Sequence, residues 1–264
     1  MSDPVTRSPW ADWRSATPAR LALGRAGAGM PTDEVLRFGW AHAMARDAIH
    51  AALDADALEA TLRAEGWEVL QARSRAPDRA TYLRRPDLGR QLDPDDAAAL
   101  RARASPPVDL AIVIGDGLSS LAVARHALPL LSALRPQLPA SVRLAPLVIA
   151  TQARVALADE IGEALGTRLV AMLIGERPGL SSPDSLGIYI THAPRRGRSD
   201  AERNCISNVR PEGLPCEAAA FKLAWFVREA LRRGLTGVAL KDESASAVLA
   251  SDDSSTRALG PPGA

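Results

Sequence analysis

The sequence predicts an α/β fold: a Rossmann-like parallel sheet domain with a helical N-terminal extension. Two textures along the chain carry that prediction, and one absence refines it. From Thr32 to about Ala104, helix signals recur between charged, Pro-broken stretches. After Pro106 and Pro107, continuous apolar runs alternate with helical ones, the pattern of a parallel sheet covered on both faces. The full Gly-x-Gly-x-x-Gly of a dinucleotide-binding turn is missing.

Composition sets the bounds. The 264 residues suffice to bury a sizeable core. A net charge of +1 and 4% aromatics argue against nucleic-acid binding through bulk charge or base stacking. Lys222 and Lys241 are the only lysines, so nearly all positive charge is arginine. Two cysteines, Cys205 and Cys216, make neither a Cys-x-x-Cys pair nor a disulfide framework. The opening MSDPVTRSPWADWRS lacks an apolar leader segment, and no run reaches the roughly 18–20 apolar residues of a membrane span. The expectation is a reduced, intracellular, soluble protein.

The elements follow in order. Residues 1–30 read as an arm rich in Pro, Arg, Ala and Gly, in which Trp10 and Trp13 either dock on a partner or fold back on their own domain. PTDEVLRFGWAHAMARDAIHAAL places Thr32 or Asp33 at an N-cap and Val35, Phe38, Ala41, Ala45, Ala48 and Ile49 on one helical stripe. DADALEATLRAEGWEVL reads as a second helix ending near Gly66, and DPDDAAALRARASPP as a short third with an acidic first turn. VDLAIVIGDGLSSLAVARHALPLLSAL and SVRLAPLVIATQARVALADEIGEALG each read strand, turn, helix. TRLVAMLIGERPGLSS supplies a third strand, SLGIYITHA a fourth, and CEAAAFKLAWFVREALRRG a long helix stopped by Gly234. The resulting division is an arm (1–30), a helical region (31–106), the Rossmann-like domain (107–243) and a disordered tail (244–264).

Ligands of such sheets bind beyond the carboxyl ends of the strands. That rule selects residues 115–120, 150–159, 175–182 and 191–210. In GDGLSS, Ser120 stands where a third glycine would be, and Ser119 suits a helix cap. There is no Gly-x-Ser-x-Gly elbow, His126 and His192 have no evident Ser or Cys partner, and His42 and His50 lie on a helix. No His-Glu-x-x-His or Cys/His cluster has metal-ligand spacing. The chain therefore shows no complete catalytic set and no metal site of its own. Glu176 follows a buried strand, where its carboxylate either accepts from a ligand or stands as a loop-end charge paired with Arg177. Cys205 lies in a polar loop, Cys216 opens the last helix as a packing residue, and Asp184 reads as turn chemistry.

Four blocks, LGRAGAGMPTDEVLRFGWAHAMARDAIHAAL, VIGDGLSSLAV, IGERPGLSSPDSLGIYITHAPRRGRSDAERNCISNVRPEGL and AAFKLAWFVREALRRGLTGVALKDES, closely resemble the small subunit of ethanolamine ammonia-lyase. The resemblance covers about residues 20–244. It implies an adenosylcobalamin-dependent lyase that converts ethanolamine to acetaldehyde and ammonia, with the radical chemistry carried by a TIM-barrel large subunit. It also implies cobalamin held between the two subunits, heterodimers assembled into a hexamer of pairs, and a home in the cytoplasm or a bacterial microcompartment. The family's cobalamin contacts carry over onto Val155, Glu176 and Cys205. An Asp-x-His-x-x-Gly motif, whose His would ligate cobalt, is absent: Ala124 stands two before His126 and Ile190 two before His192. That predicts base-on binding with no cobalt ligand from this chain. The rival readings are an NAD-dependent enzyme, disfavoured by ATQAR where an acid would be needed, and an assembly subunit without cofactor contact.

Overall fold

The computed structural model describes residues 5–104 and 107–245. In the arm, β1 (Val5–Thr6) pairs antiparallel with β2 (Arg25–Ala26). Then follow α1 (Thr32–His50), α2 (Ala55–Ala64), β3 (Val69–Arg73), α3 (Arg79–Arg84) and α4 (Pro94–Arg103). The rest is β4 (Val108–Gly115), α5 (Ser120–Leu134), β5 (Leu147–Thr151), α6 (Leu157–Leu165), β6 (Thr167–Gly175), β7 (Leu186–His192), β8 (Arg203–Val209) and α7 (Cys216–Arg233).

Helix starts and stops follow local chemistry. Asp54, Asp78 and Asp93 cap α2, α3 and α4 by accepting backbone N–H groups, and Ser119 caps α5 in the same way. Gly166 and Gly234 end α6 and α7 in the left-handed conformation that a Cβ disfavours. Helix α1 departs from expectation. Pro31 stands at its N-cap with no side-chain cap, and Thr32 already belongs to the first turn.

The central sheet has six strands in the order β3-β5-β4-β6-β7-β8. The first four are mutually parallel, whereas β7 runs antiparallel to β6 and β8 antiparallel to β7. The sheet is thus mostly, not wholly, parallel. The reason lies in the connection: residues 176–185 between β6 and β7 are too few for a crossover helix, and a short connection joins antiparallel neighbours. Two strands escape the sequence reading. β3 sits inside a segment read as helix end and charged loop, and β8 inside one read as loop. Both are edge strands with one face wet, so neither carries a continuous apolar run.

The sheet is buried between two layers. Ile112 and Ile114 of β4 face α5 and α7, while Ala111 and Val113 face α4 and α6. Burying each such Ile contributes roughly 1.5–3 kcal/mol. Outside these cores, α1 shows Val35, Leu36, Phe38, Trp40 and Met44 to solvent, and buries only Glu34, Ala45 and Ala48. Its predicted apolar stripe is therefore not a core-facing one within this chain. Ser244, at the start of the expected tail, is buried and accepts from Lys222 at 3.3 Å. The rest of that tail, from 246 on, lies outside the described residues.

Candidate functional site

The four parallel strands end together at Arg73, Gly115, Thr151 and Gly175, and the segments that follow them form one edge. Close backbone packing builds its floor. Gly117 has φ +58°, and a Cβ there would come within 2.2 Å of the Gly175 carbonyl oxygen. The turn after β4 thus lies directly on the end of β6.

Asp116, from that turn, is buried. Its carboxylate accepts the N–H groups of Gln152 at 2.9 Å and Ala153 at 2.8 Å, and Arg79 approaches at 3.4 Å. Burial pushes the Asp116 carboxyl up, against the pull of those N–H groups and of Arg79. The two bonds fix the loop after β5, where Gln152 takes φ +53°. Ala153 in turn accepts the Tyr82 hydroxyl at 3.0 Å. Tyr82 is fully buried, and that burial pushes its phenol far above the ordinary range. The Arg79 and Arg154 guanidinium groups lie 4.8 and 4.4 Å from the Tyr82 ring centre. Three buried polar atoms here have no partner among the described residues: one terminal nitrogen of Arg79, Oε1 of Gln152 and Nε of Arg154.

Above this floor opens a cleft of about 400 Å³, with Leu118, Val155, Ile174 and Tyr189 as apolar wall and Glu176 and Arg154 at its rim. Val155 lies two residues before α6. Glu176 does not pair with Arg177. Its Oε2 accepts from the Ser185 hydroxyl and from the Asn208 N–H at 3.2 Å. Among the described residues no donor reaches Oε1. That oxygen lies over Gly187, where a Cβ would stand 2.9 Å away.

Cys205 is not in a loop. It sits on β8 directly opposite Tyr189, its cross-strand neighbour. The residue is exposed overall, yet shielding of the sulfur pushes the thiol up, with the Glu176 charge adding to it. The structure therefore brings Val155 and Glu176 to one cleft and joins Cys205 to it through Tyr189. Sequence reasoning missed Tyr82, Arg79, Arg154, Asp116 and Tyr189 as parts of this edge. Asp116 and Arg154 lay within selected segments. Tyr82 and Arg79 come from the charged stretch before α4 and gave no signal.

The remaining candidates lie elsewhere. His192 pairs in register with Leu169, at the opposite end of β6 from the cleft. His126 sits mid-helix, its Nε2 3.6 Å from Asp184, whose carboxylate also takes Arg125 at 2.7 Å. Among the described residues no three His, Cys, Asp or Glu side chains gather as metal ligands, and no helix is long and apolar enough to cross a membrane.

Comparison with known proteins agrees with the resemblance. Residues 7–241 match the family model described as Ethanolamine ammonia-lyase light chain (EutC). A Bradyrhizobium diazoefficiens protein called ethanolamine ammonia-lyase small subunit is 60% identical over 248 residues, 93% of this chain and 95% of that one. Proteins of the same name from Azotobacter vinelandii and Pseudomonas putida are 59% identical over 250 residues and 54% over 258, covering 92% and 96% of this chain and 93% and 95% of theirs. A match this long and this even places the chain in the ethanolamine ammonia-lyase small-subunit family.

Proposed function

We propose that this chain helps to bind adenosylcobalamin, base-on, at its interface with the catalytic large subunit of an ethanolamine ammonia-lyase that yields acetaldehyde and ammonia. The observation that carries the reading is the carboxyl-edge cleft, with its apolar wall and a Glu176 oxygen that no group among the described residues satisfies. A corrin is broad and mostly neutral, with an apolar face and peripheral amides. It asks for an open apolar surface and a few acceptors, which Val155, Tyr189 and Glu176 offer, and not for a phosphate cradle. Cys205 backs the far end of the wall as the cross-strand neighbour of Tyr189. Bound there, the cofactor supplies the radical chemistry. This chain's part is to hold the ring and exclude water.

Base-on binding is supported by the histidines. His192 stands at the opposite sheet edge and His126 faces Asp184, so neither is aimed at the cleft. The Rossmann-like label fits the parallel half of the sheet. "Small subunit" in the relatives' name implies a larger partner. We take that partner to be a TIM barrel, in a hexamer of heterodimers, within the cytoplasm or a microcompartment. The exposed Trp10 and Trp13, packed edge to face at 6.1 Å, suit the arm to that partner.

Co-expression with the large subunit tests the reading. Acetaldehyde formation from ethanolamine should require both chains and adenosylcobalamin, and Glu176→Ala should raise the cofactor requirement. An active complex whose cofactor affinity ignores Val155, Glu176 and Cys205 would make this an assembly subunit without cofactor contact.

A further inference from the structure

The wall formed by Val155 and Tyr189 has a second side. There it borders an adjoining pocket of about 540 Å³, which Arg154 also lines. Four arginines line this pocket, Arg90, Arg154, Arg198 and Arg203, against one carboxylate, Asp200. Two are already satisfied. Arg203 binds Asp159 at 2.6 Å and the Thr191 hydroxyl at 3.1 Å, and Arg198 pairs with Glu202 and donates to the Ala193 carbonyl. Asp200 itself takes Arg203 at 3.3 Å.

The other two are not. Among the described residues Arg154 has a buried Nε without a partner, and its guanidinium makes one hydrogen bond, to the Tyr82 carbonyl, 3.5 Å long. The Arg90 side chain has no hydrogen bond or ion pair among the described residues. The fold sets the two side by side. The Arg154 N–H donates to the Gly89 carbonyl at 2.8 Å. A Cβ on Gly89 would stand 2.9 Å from the Arg154 side chain, so the missing methyl lets that side chain lie over Tyr82. Arg90 follows immediately in sequence. An uncompensated pair of guanidinium groups, one pre-ordered by stacking, suits one anionic group that accepts several N–H bonds.

This inference rests on the cofactor reading above and deepens it. Cobalamin carries one anionic group, the phosphodiester of its nucleotide loop, while its other peripheral groups are neutral amides. We propose that Arg154 and Arg90 together bind that phosphodiester, so that the nucleotide loop lies on the Arg90 side of the Val155–Tyr189 wall and the corrin on the Glu176 side.

The test uses this chain assembled with the large subunit and two ligands, cyanocobalamin and cobinamide, which keeps the corrin but lacks phosphate, ribose and base. Arg154→Gln and Arg90→Gln should each weaken cyanocobalamin binding about 10- to 100-fold, the range of a lost charge-assisted contact. Cobinamide binding should stay within about twofold, and Arg154→Lys should recover part of the loss. If Arg154→Gln fails to assemble, Arg90→Gln, at an exposed side chain, carries the test. Equal weakening of both ligands, or unchanged cyanocobalamin binding in either assembled Gln variant, overturns the paired site. A wild-type complex that binds neither ligand would instead sink the cofactor reading itself.

Discussion

Asp116 Oδ1 accepts the Ala153 N–H at 2.8 Å, tying the turn after β4 to the loop after β5. With the Gln152 N–H on its other oxygen, the carboxylate orders the backbone that leads into Arg154 and Val155. Removing it leaves two buried N–H groups and the Arg79 charge unmatched. Asp116→Ala should therefore cost about 3–5 kcal/mol of stability, read as a fall in the denaturant midpoint at constant m-value. A loss below about 1 kcal/mol would mean that water replaces the carboxylate without strain.

Gly187 and Glu176 make a second such pair. A methyl on Gly187 would stand 2.9 Å from Glu176 Oε1 and push the carboxylate off its seat. Gly187→Ala in the two-subunit complex should weaken cofactor binding in the same direction as Glu176→Ala, each by roughly tenfold, with assembly kept. Measured affinities that leave Gly187→Ala unchanged would show that the ligand does not use Oε1.

Acid stability should depend on Asp109. Its carboxylate takes Arg143 at 3.0 Å and Arg168 at 3.2 Å, and those bonds lower its pKa from the ordinary 3.8 to about 2. A depressed folded-state pKa gives stability that is complete above the unfolded value and is lost as pH falls toward the folded one. About 2 kcal/mol should therefore disappear between pH 4 and pH 2. Asp109→Asn should lack that portion of the acid transition, in thermal melts across this range.

The arm and α1 should govern association, not chemistry. Trp10, Trp13 and Trp40 are 63%, 64% and 71% exposed, and such aromatic surface is the usual anchor of an interface. Deleting residues 1–20 should change assembly or encapsulation while leaving turnover of the intact complex unaltered. Trp40→Ser should weaken subunit association by about 1–2 kcal/mol in sedimentation or titration experiments. A truncated complex that assembles but loses turnover would contradict this division.

What could be read from the sequence follows from what periodicity records. β4, β5 and β6 are buried on both faces, so their apolar runs are continuous and their carboxyl ends locate the cleft. Glu176 was accessible for that reason, whereas Val155 was named only through the family resemblance. β8 was hidden because Arg203, Ile206 and Val209 are its buried residues, a spacing of three set by an irregular register near Leu186 and Ile188 and by φ +58° at Asn208. The direction of β7 is set by loop length and not by its apolar content. Tyr82 and Arg79 reach the site by tertiary packing across more than thirty residues, as in the Arg79–Asp116 pair, and no local pattern announces such a contact.

The pairing of β3 with β5, from Val69–Leu147 to Arg73–Thr151, has a practical consequence for dissection of the chain. A fragment beginning at Pro107 would present β5 as a bare edge, with unpaired N–H and C=O groups along the strand beside the most apolar part of the sheet. Such an edge recruits strands from other molecules. The segment before the two prolines thus works as a built-in guard against self-association, and a shortened chain that keeps β3 should remain monodisperse where one lacking it precipitates.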